Sequence, residues 1–347
     1  MNRRSHARWV RSLTDNLKSA IENLKWVEII ATAFAFAMWG AAEAQQPGKV
    51  FRIGYLDNGT ASGSAVLVDA FRQELSKLGW TEGKNIAIEY RFAEQKNERL
   101  PELAADMVRL KVDLIAVSGT PAALAAKRAS TTIPIVMTST QDPVADSLVA
   151  SLARPGGNVT GNSNLSPELN TKRLEVLKDS IPKLARVGVL RPVGGGVTQL
   201  KQLRPAAPAL KLKLEEIETQ SDAKNLESAF QTAKQKQVDA IMTTVNRLFF
   251  AERKRIVELA GKYRLPAIYF SKEFVDEGGL MSYGADFDDL FRRAAVYVDK
   301  ILKGAKPGDL PVQQATKFEF IINLKVANQI GLTIPVRMLE RANQVIR

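Results

Sequence analysis

The sequence predicts an α/β protein made of two doubly wound, parallel-sheet lobes joined by a multi-strand hinge. Three observations predict it. Short β-branched and aromatic runs alternate with amphipathic helical stretches, an order that pairs strands in parallel and lays helices on both sheet faces. That alternation breaks at Arg154-Pro155-Gly156-Gly157-Asn158-Val159-Thr160-Gly161 and then restarts. A chain of 347 residues also exceeds one ordinary core and suits two.

In the first round, Val50-Phe51-Arg52-Ile53-Gly54-Tyr55-Leu56 reads as a strand closed by the turn Asp57-Asn58-Gly59. Residues 65–78 put Val66, Phe71, Leu75 and Leu78 on one helical stripe, which Gly79 stops. A strand over 85–92 and a helix over 100–110 follow, with Pro101 tolerated in the first turn. Asp113-Leu114-Ile115-Ala116-Val117 reads as a buried strand, and Ser118-Gly119-Thr120-Pro121 leads into an alanine-rich helix ending near Arg128. A strand over 133–137 runs into Thr138-Ser139-Thr140-Gln141-Asp142-Pro143, and a short helix over 144–152 closes the round.

The Pro-Gly-Gly break predicts a first crossing between lobes. Helices over 168–180, 200–210, 223–235 and 251–263 then alternate with strands over 187–190, 213–218, 240–245 and 267–270. Gly278-Gly279-Leu280-Met281-Ser282-Tyr283-Gly284 predicts a second crossing and residues 310–314 a third, separated by a helix over 286–302. A strand over 318–322 and helices over 324–330 and 338–346 finish the chain. The lobes expected are therefore 50–160 with 286–315, and 161–285 with 316–347.

Composition removes much chemistry. The one histidine is His6 and there is no cysteine, which excludes imidazole acid–base work, thiol nucleophiles and nearly every zinc or iron site from the body of the chain. Gly59-Thr60-Ala61-Ser62-Gly63 and Gly194-Gly195-Gly196 match no phosphate-binding loop. Asp286, Asp288 and Asp289 begin a helix, where acids complement the dipole. The net charge of +12 comes from basic residues mixed with acids along helices, a solvated surface rather than a nucleic-acid stripe. Residues 1–44 combine early arginines, an apolar run over 29–39 and Ala42-Glu43-Ala44, the parts of a signal cleaved near Ala44 on export.

A chain so equipped is expected to hold a small solute. Ligands of open parallel sheets sit beyond the carboxyl ends of the strands, and those ends are rich here in small polar residues. Asp57, Asn58, Ser118, Gly119, Thr120, Thr140 and Asp142 are the contacts expected from the first lobe. Arg191, a possible bidentate carboxylate clamp, is expected from the second with Thr244, Asn246, Tyr269 and Tyr283. Tyr55 and Phe270 are further aromatics at strand ends, able to pack a planar group or a core. No catalytic residue, cofactor or metal is expected.

Several long stretches resemble the ABC-transporter substrate-binding proteins of the tryptophan- and tyrosine-type group. They are Phe71-Arg72-Gln73-Glu74-Leu75 with Leu78-Gly79-Trp80-Thr81-Glu82-Gly83-Lys84-Asn85, Pro134-Ile135-Val136, Asp142-Pro143-Val144 with the run 148–161, and the run 297–311. The loop Thr138-Ser139-Thr140-Gln141 departs from the smaller, glycine-containing segment common at that place. The resemblance implies a type I periplasmic binding protein: a monomer that closes on an amino acid or aromatic carboxylate and delivers it to an ABC permease in the inner membrane. The effector domain of a transcription regulator shares that fold and is the alternative, and a sugar hydrolase using aspartates is a third.

Overall fold

The computed structural model describes residues 49–220 and 223–347, so the expected export signal lies outside the described residues. In chain order the first round gives β1 (Phe51–Asp57), α1 (Ala61–Lys77), β2 (Ile86–Phe92), α2 (Leu100–Arg109), β3 (Leu114–Ser118), α3 (Thr120–Ala129), β4 (Ile135–Thr140) and β5 (Val159–Ser163). The second gives α4 (Ser166–Ser180), β6 (Arg186–Pro192), α5 (Val197–Ala209), β7 (Lys213–Thr219), α6 (Ala223–Gln235), β8 (Ala240–Thr243), α7 (Arg247–Ala251), α8 (Arg253–Lys262), β9 (Ala267–Tyr269), α9 (Glu273–Asp276) and β10 (Met281–Ala285). The chain ends with α10 (Phe287–Leu302), β11 (Gln313–Gln314), β12 (Phe318–Asn323), α11 (Leu324–Gln329), α12 (Val336–Arg341) and β13 (Gln344–Ile346).

Two sheets result, a six-stranded one ordered β11-β5-β4-β3-β1-β2 and a seven-stranded one ordered β13-β12-β10-β9-β8-β6-β7. Every pairing is parallel except β10 with β12. Strand order reverses between β1 and β3 in the first sheet and between β6 and β8 in the second. Asp57 is in register with Ser118 at one reversal, and Leu190 with Thr243 at the other. Such reversals splay the helices apart at the strand ends and leave a crevice there.

Strand tips and helix starts share residues. Thr60 caps α1 by accepting from the Gly63 amide at 3.0 Å, and Asn246 caps α7 by accepting from Leu248 at 2.8 Å. Asp286 caps α10 by accepting from Asp289 at 2.9 Å. Helix α10 follows a strand of the second sheet yet packs on α1 and on β4 and β5 of the first. Its Leu290, Phe291 and Val298 join Phe71 and Leu75 in a fully buried core. The expected aspartate cluster is thus a helix start, with Lys317 and Arg293 on Asp289 and Lys272 on Asp288.

The crossings fall later than expected. The Pro-Gly-Gly break is a turn, not a passage: Asn158 Nδ2 donates to the Ser130 and Ile133 carbonyls, which steers the chain back into β5 of the first sheet. The chain leaves that sheet only after Ser163. Likewise 278–284 leads into β10 of the second sheet, and 310–314 supplies β11 to the first. The three passages are at 164–165, at Asp286 and at 315–317.

Three expected helices also differ. Residues 144–152 form turns, with Ser147 left-handed and Asp142 Oδ1 accepting from Ala145. The helix expected over 251–263 is interrupted at Glu252, giving α7 and α8. The last is half strand: Asn343 Oδ1 accepts from the Phe320 amide at 2.8 Å and locks the β-branched end beside β12 as β13. No helix among the described residues is long and apolar enough to cross a membrane.

Gly161 shows how tightly β5 is laid on β4. Its φ is +123°, and a Cβ there would lie 2.3 Å from the Met137 carbonyl oxygen and 2.5 Å from the Met137 nitrogen. Gly161→Ala is expected to lower stability by about 3 kcal/mol through overpacking and backbone strain, read as a reduced urea midpoint.

Candidate functional site

The ends of β1, β3, β4 and β8 meet around a cavity of about 40 Å³ lined by Asn58, Gly119, Thr120, Pro121, Ser139, Gln141, Asn164, Val245, Asn246, Arg247, Phe270 and Phe287. Both sheets contribute, so the cavity lies between the lobes.

Arg247 is the member that organises it. It starts α7 behind the second sheet and reaches across to Asp57 at the tip of β1, Nη2 lying 2.9 Å from Oδ2. The same Nη2 donates to Ser64 Oγ at 2.8 Å, and Ser64 donates to Asp57 at 2.9 Å. Gly59 N adds a bond of 2.8 Å to Asp57 Oδ1. The guanidinium carbon lies 4.7 Å from the Phe250 ring centroid and 5.9 Å from that of Phe291, favourable ground for a desolvated cation. Burial alone would lower the Arg247 pKa, but the Asp57 carboxylate outweighs it, so the guanidinium is held above its ordinary value. Burial, with Asp57 beside it, pushes the Tyr55 phenol well above its own.

Other bonds close the lobes around this pair. Gln141 Nε2 donates to the Val245 carbonyl at 3.1 Å, and Gln199 Nε2 donates to Gln141 Oε1 at 3.3 Å. Gln95 Nε2 donates to Glu252 Oε1 at 2.6 Å, and Arg253 Nη1 to the Gly63 carbonyl at 3.0 Å. Two polar atoms of cavity residues stay buried without a hydrogen-bond partner, Asn58 Oδ1 and Arg247 Nη1. One is an acceptor and one a donor.

Of the residues expected at the site, Asn58, Gly119, Thr120 and Asn246 line this cavity, and Asp57 stands behind it as the anion that anchors Arg247. Ser118 is buried at the tip of β3 without lining it. The others lie elsewhere. Thr140 Oγ1 donates to the Asn162 carbonyl within the sheet, and Asp142 caps its own turn. Arg191 is occupied by Glu216 and Glu218 beside β7. Thr244 donates to the Leu190 carbonyl. Tyr269 stacks on Phe274 with centroids 4.7 Å apart, and Tyr283 meets Phe320 edge-on at 6.1 Å.

Arg247, Gln199 and Phe287 were not anticipated. Nothing in the sequence marked Arg247, because the helix expected over 251–263 left it in the preceding loop, whereas α7 begins with it.

The chain matches the family of ABC transporter substrate binding proteins over residues 62–346. It belongs to that family. These are binding proteins and not enzymes, so neither the hydrolase nor the regulator reading is favoured. A tyrosine-binding protein of Clostridioides difficile (strain R20291) is 31% identical over 258 residues, 73% of each chain. Among solved structures, the ABC domain of Streptococcus pneumonia in complex with L-Trp is 26% identical with a TM-score of 0.78, covering 86% of this chain and 100% of that one. The ligand-free, open substrate binding protein with adhesive properties from Clostridium difficile is also 26% identical, but its TM-score is 0.60 over 86% of this chain and 99% of that one. At equal identity, this substrate-binding protein superposes better on the ligand-bound relative than on the open one, in keeping with its bonds across the lobes.

Proposed function

We propose that this protein is the exported, periplasmic receptor of an ABC importer, and that it binds one aromatic amino acid between its lobes and presents it to a permease in the inner membrane. One observation carries the reading: a buried unpaired acceptor on Asn58 and a buried unpaired donor on Arg247 belong to residues lining the same interlobe cavity. An amino acid carries the complementary pair, an ammonium for Asn58 Oδ1 and a carboxylate for Arg247, and Phe270 and Phe287 supply apolar walls for a ring. The relatives that bind tyrosine and L-Trp support the same class.

About 40 Å³ is far less than the roughly 150 Å³ that accommodates benzene. An aromatic side chain therefore enters when the lobes part, and Arg247, held by Asp57 through Nη2, offers its free Nη1 to the ligand carboxylate. Closure follows from contacts that both lobes make with one ligand. Arg191, held by two glutamates, takes no part.

Calorimetry on protein unfolded, stripped of ligand and refolded tests this. Saturable 1:1 binding of L-tryptophan or L-tyrosine is expected, with Arg191→Ala leaving affinity unchanged. No heat from any aromatic amino acid would overturn the reading.

A further inference from the structure

A second cavity, of about 210 Å³, lies wholly within the second lobe, away from the interlobe cavity and sharing no residue with it. Its walls come from α8, the start of β9, the turn before β10, and α11 with Ile330 behind it. Val257, Ala260, Leu265, Leu280, Val326 and Ile330 supply their apolar part. The volume exceeds the roughly 150 Å³ of a dry cavity that holds a benzene ring.

Two polar features single it out. Tyr269 is fully buried and its hydroxyl has no hydrogen-bond partner. Tyr269 packs at the Gly278–Gly279 wall of the cavity, its Cε2 2.7 Å from where a Cβ on Gly279 would lie. A buried phenol without a partner is costly and normally finds one. Arg264 also lines the cavity; it is exposed and makes no ion pair among the described residues. Gln329 stands exposed beside it. The pattern is a set of apolar side chains with one cation at the mouth.

We propose that this cavity is a second binding site, for a small monocarboxylate whose carboxylate pairs with Arg264 at the mouth and whose apolar body packs against Val257, Leu280 and Val326. The site is independent of the interlobe cavity, and its ligand need not be an amino acid.

Phenylacetate is a suitable probe, titrated calorimetrically into the full chain alone, with saturating L-tryptophan, and into Arg247→Ala. One phenylacetate per chain is expected in all three. Binding lost in both competing arms would place the probe between the lobes and overturn the proposal. The Arg247→Ala arm keeps this outcome separate from the aromatic amino-acid reading, since it stands whether or not tryptophan binds. Arg264→Gln should weaken phenylacetate at least about fivefold while leaving the neutral phenylacetamide unchanged. Gly261→Met, placed where a Cβ meets nothing within 4 Å, should weaken both probes by filling the space. No saturable binding, or binding indifferent to Arg264→Gln and Gly261→Met, overturns the proposal.

Discussion

Arg247→Ala is expected to abolish tight binding of the aromatic ligand, by a hundredfold or more, and to leave the free protein open. Two effects add. The substitution deletes the donor assigned to the ligand carboxylate, and a charge-assisted hydrogen bond is among the strongest contacts a site can offer. It also leaves Asp57, which is fully buried, with only Ser64, Gly59 N and a long bond of 3.4 Å from Tyr55. Removing one partner of a buried ion pair typically costs about 3–5 kcal/mol. Here the lobes can part and let water reach Asp57, so the loss is capped at the cost of opening and falls on closure rather than on folding. Small-angle scattering should show a larger radius of gyration with only a modest drop in melting temperature. An unchanged radius together with unchanged affinity would refute the role given to Arg247. Asp57→Asn should open the protein for the mirror reason, a guanidinium left without its anion.

Gly63→Val should produce the open form without touching the ligand cavity. Gly63 lies in α1 of the first lobe, and a Cβ there would sit 2.6 Å from the Cβ and 2.7 Å from the Cα of Ala251 in α7 of the second. No rotamer relieves a clash with a backbone atom. The helix itself accepts valine at small cost, so each lobe should fold while the two are held apart. The Arg253 bond to the Gly63 carbonyl would be lost at the same time. Ligand affinity is expected to fall by about tenfold or more, as the population able to close shrinks, with near-native circular dichroism. Affinity equal to the parent would show that α1 and α7 need not meet.

Most of the architecture was legible along the chain because periodicity is local. The strand runs at 51–57 and 114–118 are near-continuously buried, and buried parallel strands write themselves as unbroken apolar stretches. The misplaced boundaries share one cause. Pro155-Gly156-Gly157 and Gly278-Gly279 announce a change of direction, but not whether the chain then joins its own sheet or the other. Asn158 and Asn343 settle such questions through bonds to residues more than twenty positions away.

Two wound sheets, the polar strand tips at Asp57, Asn58, Gly119 and Thr120, and the lack of histidine or thiol chemistry beyond His6 can all be read along the chain. That Arg247, and not Arg191, lines the cavity between the lobes follows from how the folded chain packs. Arg191 lies near the end of β6 and Arg247 just after β8, both strands of the second sheet. Arg191 meets Glu216 and Glu218 on the neighbouring strand, whereas Arg247 meets Asp57, 190 residues away in the other lobe. A charge takes its role from its nearest desolvated partner, and across two lobes that partner is set by packing.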